Sequence, residues 1–270
     1  MFFKTYTPNA AIAPYVRSYW VLENDSIPEA PEKILPDGCM ELIFHYGDPY
    51  RTNIRDMSLM QPLNIVVGQI KKAIHLMPTG KTGIISVRFE PWGFYAITGI
   101  SAKLLTDNYL EADEVLGDAV NTINQQVLNS DNSSRIKILD NYLQSLLNAR
   151  PAGHIVRINP YISSLQKLAA SDGNIPIATL AADCNVGVRQ YNRVINDIIG
   201  ISPKHYARIV RLHAFLDYYS SDKHPTLTSA LYESGYYDQA HFIKEFKAIS
   251  LTSPSVFFKG NHEMAGLMLQ

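Results

Sequence analysis

The sequence predicts an α+β fold, in which a mainly β N-terminal domain with following helices precedes an all-α domain. β-branched and aromatic runs separated by turn residues dominate the first 105 residues, and apolar residues recur at helical spacing from Pro91 onward. No strand pattern follows Pro151. With 270 residues, 46% of them apolar, the chain is long enough to form two cores.

The N-terminal domain is predicted to span residues 1–150. Its predicted strands are 18–23, 39–46, 63–68 and 82–90, separated by turn formers such as "PDG" and "YGDP". Its predicted helices are 93–105, 112–128 and 133–148. The break before Pro151 opens the second domain, 151–270, and Asn159-Pro160 is expected to cap the first helix there.

Composition excludes several classes of protein. No run approaches the roughly 18 apolar residues that a membrane span needs, and the N-terminus lacks a signal-peptide pattern. We therefore expect a cytoplasmic protein without a membrane partner. Cys39 and Cys184 fall in different predicted domains, which argues against a disulfide framework or a cysteine-based metal site.

Charge leaves the class of partner open. The net charge is −1, and residues 151–270 hold 11 Lys and Arg against 9 Asp and Glu. Such a balance permits a nucleic-acid surface in the C-terminal part but does not require one.

Residues 227–250 have the pattern of a helix-turn-helix unit. Gly235 supplies the positive φ of a tight turn, and Asp238 is a favourable N-cap for the second helix. Phe242, Phe246 and Ile249 then form one apolar stripe at i, i+4 and i+7. The polar residues between them are left on an outer face near the start of the helix, as in a recognition helix.

Residues 177–199 repeat this pattern. Asn185 is a turn residue that tolerates the left-handed conformation, and Gly187 occupies the N-cap. The stripe Tyr191, Ile195 and Ile198 has the same offsets as its counterpart. Each unit closes on Ser-Pro, which starts a further helix, and the first of these helices would join the two units.

The duplication points to double-stranded DNA as the partner. One short helix makes few base contacts, each good bidentate pair being worth about 1–3 kcal/mol. Two recognition helices held about 34 Å apart read successive major-groove segments on one face of the duplex. A single chain can then bind DNA as a monomer. A homodimer formed through the N-terminal domain is equally compatible with the sequence.

Two stretches resemble the C-terminal domain of AraC/XylS-type bacterial transcription regulators. They are "GISPKHYARIVRLHAFL" and "ESGYYDQAHFIKEFKAISLTSP", and the resemblance covers about residues 158–259. It implies two helix-turn-helix units joined by a linker helix. Three residues depart from the family pattern: Gly187 replaces a Ser cap, Leu231 a small Ala, and Leu251 a Gly before Ser-Pro.

The resemblance maps base-reading positions onto the starts of both recognition helices. Arg suits guanine, and Gln or Asn suits adenine. Lysines such as Lys247 would contact the backbone. The alternative is that these residues are merely solvated. The candidate DNA-binding residues are Val188, Arg189, Gln190, Asn192, Arg193, Asp238, Gln239, Ala240, His241, Lys244 and Lys247.

The front of the chain resembles a poorly characterised domain often fused ahead of this DNA-binding module. The resemblance rests on stretches such as "LPDGCMELIFHYGDP" and "VRFEPWGFYAITGI" and implies a regulatory or sensing role without naming a ligand. The candidate effector pocket contains Glu41, Gln69, Arg88 and Trp20. The residues favour the simpler alternatives. Glu41 and Arg88 would then form a structural ion pair or simply lie on the surface, and Trp20 would be a core aromatic.

Catalytic and cofactor patterns are absent from the sequence. It contains no nucleophile elbow, phosphate-binding loop or dinucleotide fingerprint, and no histidine spacing typical of a metal site. We therefore predict a transcription regulator rather than an enzyme, without cofactor or metal. Its partners are DNA, a small-molecule effector, and RNA polymerase if it activates. The alternative is a ligand-binding or enzymatic N-terminal domain whose helical module mediates protein contacts.

Overall fold

The N-terminal domain is built from two antiparallel sheets. The computed structural model describes residues 1–26, 31–54, 57–220 and 227–259. Its strands are β1 Phe2–Tyr6, β2 Val16–Asn24, β3 Glu32–Ile34, β4 Glu41–His45, β5 Tyr50–Ile54, β6 Met57–Met60, β7 Asn64–Val67, β8 Ile74–Pro78, β9 Thr82–Phe89 and β10 Tyr109–Glu111. The larger sheet has the order β1-β2-β9-β4-β7-β10, and the smaller has the order β3-β8-β5-β6.

Strand β4 shows how alternation divides the side chains between two cores. Leu42 and Phe44 are fully buried in the core that the helices cover. Ile43, between them, belongs to the core enclosed by the two sheets, with Trp20 and Ile84. Because successive side chains point to opposite faces of a strand, Glu41 and His45 share the inner side with Ile43.

Helices cover the outer face of the larger sheet. They are α1 Gly93–Thr98, a 3₁₀ helix at Ala102–Leu105, α2 Ala112–Leu116, α3 Ala119–Leu128 and α4 Asn132–Asn148. The predicted helices 93–105 and 112–128 were each wrong as single helices. Gly99 and Gly117 end α1 and α2 at φ 69° and 80°, a conformation that glycine adopts without steric cost.

The C-terminal domain is helical throughout its described residues. Its helices are α5 His154–Ala170, α6 Ile177–Asp183, α7 Val188–Ile199, α8 Pro203–Ser220, α9 Leu227–Glu233, α10 Gln239–Ser250 and α11 Pro254–Phe257. Residues 260–270 of the predicted second domain lie outside the described residues. The α+β fold predicted from the sequence is confirmed.

The first helix of this domain starts earlier than the sequence suggested. The prediction that Asn159-Pro160 caps it was wrong, because α5 begins after Gly153 and contains Pro160. Proline removes one backbone hydrogen bond from a helix interior. The helix continues through it because Ile158, Ile162 and Leu165 form a buried stripe on both sides of the proline.

Both helix-turn-helix turns have the predicted backbone. Asn185 has φ 55° and Gly235 has φ 81°, so each turn uses the left-handed region. A Cβ atom at Gly235 would lie 2.4 Å from the side chain of Asn174, which explains why the second turn needs glycine. Ser202 caps α8 through a 3.2 Å hydrogen bond from the His205 amide to its Oγ.

Leu251 ends α10 in a strained conformation. Its φ is 63°, a region that costs a residue with a Cβ atom roughly 1–2 kcal/mol. We expect Leu251→Gly to raise the free energy of unfolding by about 0.5–1 kcal/mol in a urea titration, because glycine removes the strain at some entropic cost. Leu251→Ala is the matched control, since it shortens the side chain and keeps the strain. An equal gain in both variants would contradict this explanation.

Candidate DNA-binding surface and effector cavity

Helix α7 presents a polar face at its N-terminus. Its buried stripe is Tyr191, Ile195 and Ile198, and the Tyr191 hydroxyl lies 2.8 Å from Ser164 Oγ on α5. This anchoring leaves Val188, Arg189, Gln190 and Arg193 exposed. In the described part of the chain, neither of these two arginines has an ion-pair partner, so both guanidinium groups are available to a ligand.

Asn192 is placed differently from its neighbours on α7. It is half-buried, and its Nδ2 donates to the Val188 carbonyl at 2.7 Å. To bind an adenine with both its amide groups, the Asn192 side chain would first have to break its hydrogen bond to the Val188 carbonyl.

Helix α10 repeats the arrangement with a stronger N-cap. Asp238 accepts a 2.7 Å hydrogen bond from the His241 amide, which places its carboxylate in the predicted capping role. Gln239, Ala240, Lys244 and Lys247 are exposed on the outer face. The imidazole of His241 is half-buried, 3.7 Å from Glu245.

Helix α8 joins the two units. Its 18 residues correspond to a length of about 27 Å. Arg208 on α8 pairs with Glu245 on α10 at 2.8 Å, and Arg211 lies 3.7 Å from the same carboxylate. Phe215 of α8 packs against Phe242 of α10 with ring centroids 4.3 Å apart. The second recognition helix is therefore fixed to the linker by charge and by packing.

Two family models match separate parts of the chain. Residues 180–260 match a helix-turn-helix domain. They contain both recognition helices and the linker helix, the arrangement typical of AraC-type regulators. The chain carries an AraC-type DNA-binding domain. Its predicted function as a DNA-binding transcription regulator is confirmed, and residues 4–111 match a domain of unknown function (DUF6597).

Solved structures of ToxT from Vibrio cholerae resemble this chain at low identity. ToxT from strain O395 is 11% identical with a TM-score of 0.46, over 95% of this chain and 97% of that one. ToxT with a bound unsaturated fatty acid is 10% identical with a TM-score of 0.46, over 88% and 92%. At such values the likeness bears on neither the ligand nor the DNA sites of this chain. Among curated proteins, no sequence matches it.

A cavity of about 80 Å³ lies between the two sheets of the N-terminal domain. Its walls are largely apolar and include Ile34, Ile43 and Ile84. Of the four predicted pocket residues, Trp20 and Glu41 line it. His45, which alternates with Glu41 along β4, also lines the cavity but was not among the predicted pocket residues.

Glu41 makes contacts other than the Arg88 ion pair considered from the sequence. Its Oε1 accepts from Trp20 Nε1 at 3.1 Å, and its Oε2 accepts from Ser86 Oγ at 3.2 Å. Burial raises the pKa of Glu41 to about 7, although the nearby Arg88 guanidinium lowers it. Near neutral pH, this carboxyl group is therefore present in both protonation states.

Arg88 and Gln69 hold the backbone beside the cavity. Arg88 Nη2 pairs with Asp37 at 2.5 Å. Gln69 Nε2 donates to the Gly38 carbonyl at 2.5 Å. Burial raises the pKa of the neighbouring Cys39 thiol to about 11, which keeps it protonated and unreactive. Both predicted residues thus support the turn that leads into β4.

The segments around residues 33–38 and 69–74 also hold the AraC-type domain. Lys33 Nζ donates to the Ser250 carbonyl at 3.1 Å and to Thr252 Oγ1 at 3.2 Å. The Ala73 amide donates to the Ile249 carbonyl at 2.7 Å. These contacts fasten the C-terminal end of α10 to the N-terminal domain.

The linker helix α8 rests on the same two segments. Its His213 Nε2 lies 2.7 Å from the Pro36 carbonyl, and its His205 Nε2 lies 3.1 Å from the Lys71 carbonyl. A Cβ atom at Gly38, where φ is 80°, would lie 2.7 Å from the ring of Tyr206 on α8. Glycine is needed here because the ring approaches the backbone so closely.

Metal binding and membrane spanning find no support in the described residues. They contain no group of three or more His, Cys, Asp or Glu side chains arranged to hold a metal ion. None of the helices in the described ranges combines the length and apolar character that crossing a bilayer requires.

Proposed function

We propose that this transcription regulator binds specific sites in double-stranded DNA by placing α7 and α10 in successive major-groove segments. The observation that carries the proposal is that both recognition helices expose cationic and amide side chains at their N-termini, Arg189, Arg193, Gln239 and Lys244 among them. The linker helix α8 joins the two units and packs against the second recognition helix. Arg, Lys and Gln are the side chains that read guanine and adenine edges.

A small effector bound in the cavity of the N-terminal domain controls this activity. Support comes from the segments 33–38 and 69–74. In each of them, some residues line the cavity and their neighbours contact the AraC-type domain. Ile34, Ile70 and Ile74 line the cavity, whereas Lys33, Lys71 and Ala73 contact the AraC-type domain. A ligand that moves the cavity walls therefore has to change these contacts, which couples the two sites energetically.

Further partners follow from this mode of action. The protein acts in the cytoplasm, as a monomer with two recognition helices or as a homodimer formed through the N-terminal domain. An activator of this type would also contact RNA polymerase.

The competing function is a ligand-binding or enzymatic N-terminal domain whose helical module mediates protein contacts. Selection of bound fragments from sheared genomic DNA at about 150 mM salt, followed by footprinting, separates the two functions. A protected site with two contact patches about 10 base pairs apart supports the regulator. Binding that is weak and independent of sequence would contradict the proposed specific recognition.

The Lys33 contact provides a test of the coupling between the domains. We expect Lys33→Met to raise the amide exchange rate of Leu251 and Thr252 at least threefold, because the variant lacks the two hydrogen bonds to this turn. Exchange within α7 should not change. Lys72→Met is the matched control, since Lys72 is exposed nearby. Equal exchange in the two variants would show that Lys33 does not fasten the second unit.

A further inference from the structure

The charged side chains that line the cavity are all acidic. Asp37 and Glu41 are its carboxylates, and no lysine or arginine is among the described lining residues. Asp37 is already paired, because Arg88 reaches it at 2.5 Å. Glu41 is therefore the carboxyl group left to meet a ligand.

Glu41 retains the capacity to bind a donor. Trp20 and Ser86 each donate one hydrogen bond to it, whereas a carboxylate accepts about four. No ion pair to Glu41 occurs among the described residues. The rings of Trp20 and Tyr50 also line the cavity, and aromatic faces attract cations. An entering ammonium group would meet a carboxylate and aromatic surface at once.

His45 is a second polar group with unmet hydrogen bonds in this cavity. Its exposed fraction is 1%, and within the described ranges neither ring nitrogen makes a hydrogen bond of good geometry, although the Gln61 side chain lies close enough to form one. Burial lowers the pKa of His45 to about 4, so the imidazole is neutral and brings no positive charge. A buried polar group without a partner is costly. A polar ligand atom would therefore meet an imidazole whose hydrogen-bonding capacity is not used up by Gln61.

The remaining walls determine the rest of the ligand. Ile34, Ile43, Leu76 and Ile84 surround the polar groups with aliphatic surface. The volume of about 80 Å³ corresponds to about two or three water molecules. Only a short apolar body fits without displacing the walls.

We propose that the effector is a small organic base, whose protonated amine lies against Glu41 and whose short apolar body fills the space between the sheets. This inference rests on the proposed function, because it assigns the chemical class of the effector. A carboxylic acid is disfavoured, since its charge would face Glu41 without a cation in the lining. A hydrocarbon of the same shape leaves Glu41 and His45 without new partners.

Three probes with a common four-carbon skeleton test this class: isobutylamine, isobutanol and isobutyrate. Each is titrated into the full chain, and the indole N–H resonance of Trp20 is followed by NMR. The chain has two tryptophans, so Trp92→Phe assigns the signal. We expect isobutylamine to shift this resonance at a concentration at least tenfold below that of isobutanol, and isobutyrate to leave it unchanged. In Glu41→Gln the preference for the amine should fall at least tenfold, whereas the exposed control Glu111→Gln should retain it.

Three results would overturn the inference. They are tighter binding of isobutanol or isobutyrate, an undiminished amine preference in Glu41→Gln, and no binding by any probe. The proposed function fails separately, because the genomic selection and footprint do not depend on a cavity ligand. If isobutanol or isobutyrate binds the cavity and alters the footprint, control by an effector is supported. Only the assignment of that effector as an amine is then rejected.

Discussion

Replacing Arg193 by Ala should lower the affinity for a selected DNA site by about 5- to 150-fold at 150 mM salt. This range corresponds to the 1–3 kcal/mol of a bidentate contact between arginine and guanine. Arg193 is exposed on α7 and has no ion-pair partner in the described ranges, so the loss should come from DNA rather than from the fold. Lys244→Ala should lower affinity through the second unit. Gel-shift titration measures the affinities, and footprinting assigns the patch.

The two variants should weaken different halves of the footprint. Arg193→Ala should relax the sequence preference in one contact patch, and Lys244→Ala in the other, about one helical turn away. Arg157→Ala is the control, because it removes an equal charge from an exposed position on α5 outside both recognition helices. If all three variants lose the same small, salt-dependent amount, these residues contribute only general electrostatic attraction.

Replacing Glu41 by Gln should remove a large pH dependence of stability. The pKa of Glu41 is raised from 4.5 to about 7 in the folded protein, mainly by burial. Between these values the unfolded chain releases the proton and the folded chain retains it, so stability falls as pH rises from about 4.5 to 7. Above pH 7 the cost levels off, on the order of 3 kcal/mol. Glutamine has no such cost and can still accept from Trp20 and donate to Ser86.

Urea unfolding at pH 5, 6, 7 and 8 measures this effect. The stability gain of Glu41→Gln should be below about 1 kcal/mol at pH 5 and should rise to a few kcal/mol at pH 8. His45 acts in the opposite direction. Its lowered pKa gives stability that is present above pH 6.5 and lost as pH falls toward 4, but this term is common to both proteins. Glu111→Gln serves as an exposed control. A difference between Glu41→Gln and the original that does not vary with pH would contradict the raised pKa.

The helix-turn-helix units were the part of the fold that local sequence predicted best. The stripes Tyr191-Ile195-Ile198 and Phe242-Phe246-Ile249 have the period of a helix, and Asn185 and Gly235 mark the turns between helices. Asp238 was predicted as an N-cap and forms that hydrogen bond. Caps, turns and apolar periodicity are interactions within a few residues, which is why they can be read without a structure.

The smaller sheet was not predicted. Its strands β3, β5, β6 and β8 are short and carry charged or polar residues, as in "EKI" and "YRTNI". Their pairing depends on partners far along the chain, such as Glu32 opposite Leu76. A strand whose stability comes from such pairing has little local pattern to recognise.

The sequence by itself determined the class of the protein, because its duplicated DNA-binding pattern consists of local spacings. Tertiary structure decided the candidate effector site. Arg88 and Glu41 lie opposite each other on paired strands, which made an ion pair a reasonable expectation. The fold instead brings Asp37 to Arg88 and Trp20 to Glu41. Which of several carboxylates an arginine meets depends on the course of a turn and on burial, and neither is encoded in the spacing of residues along the chain.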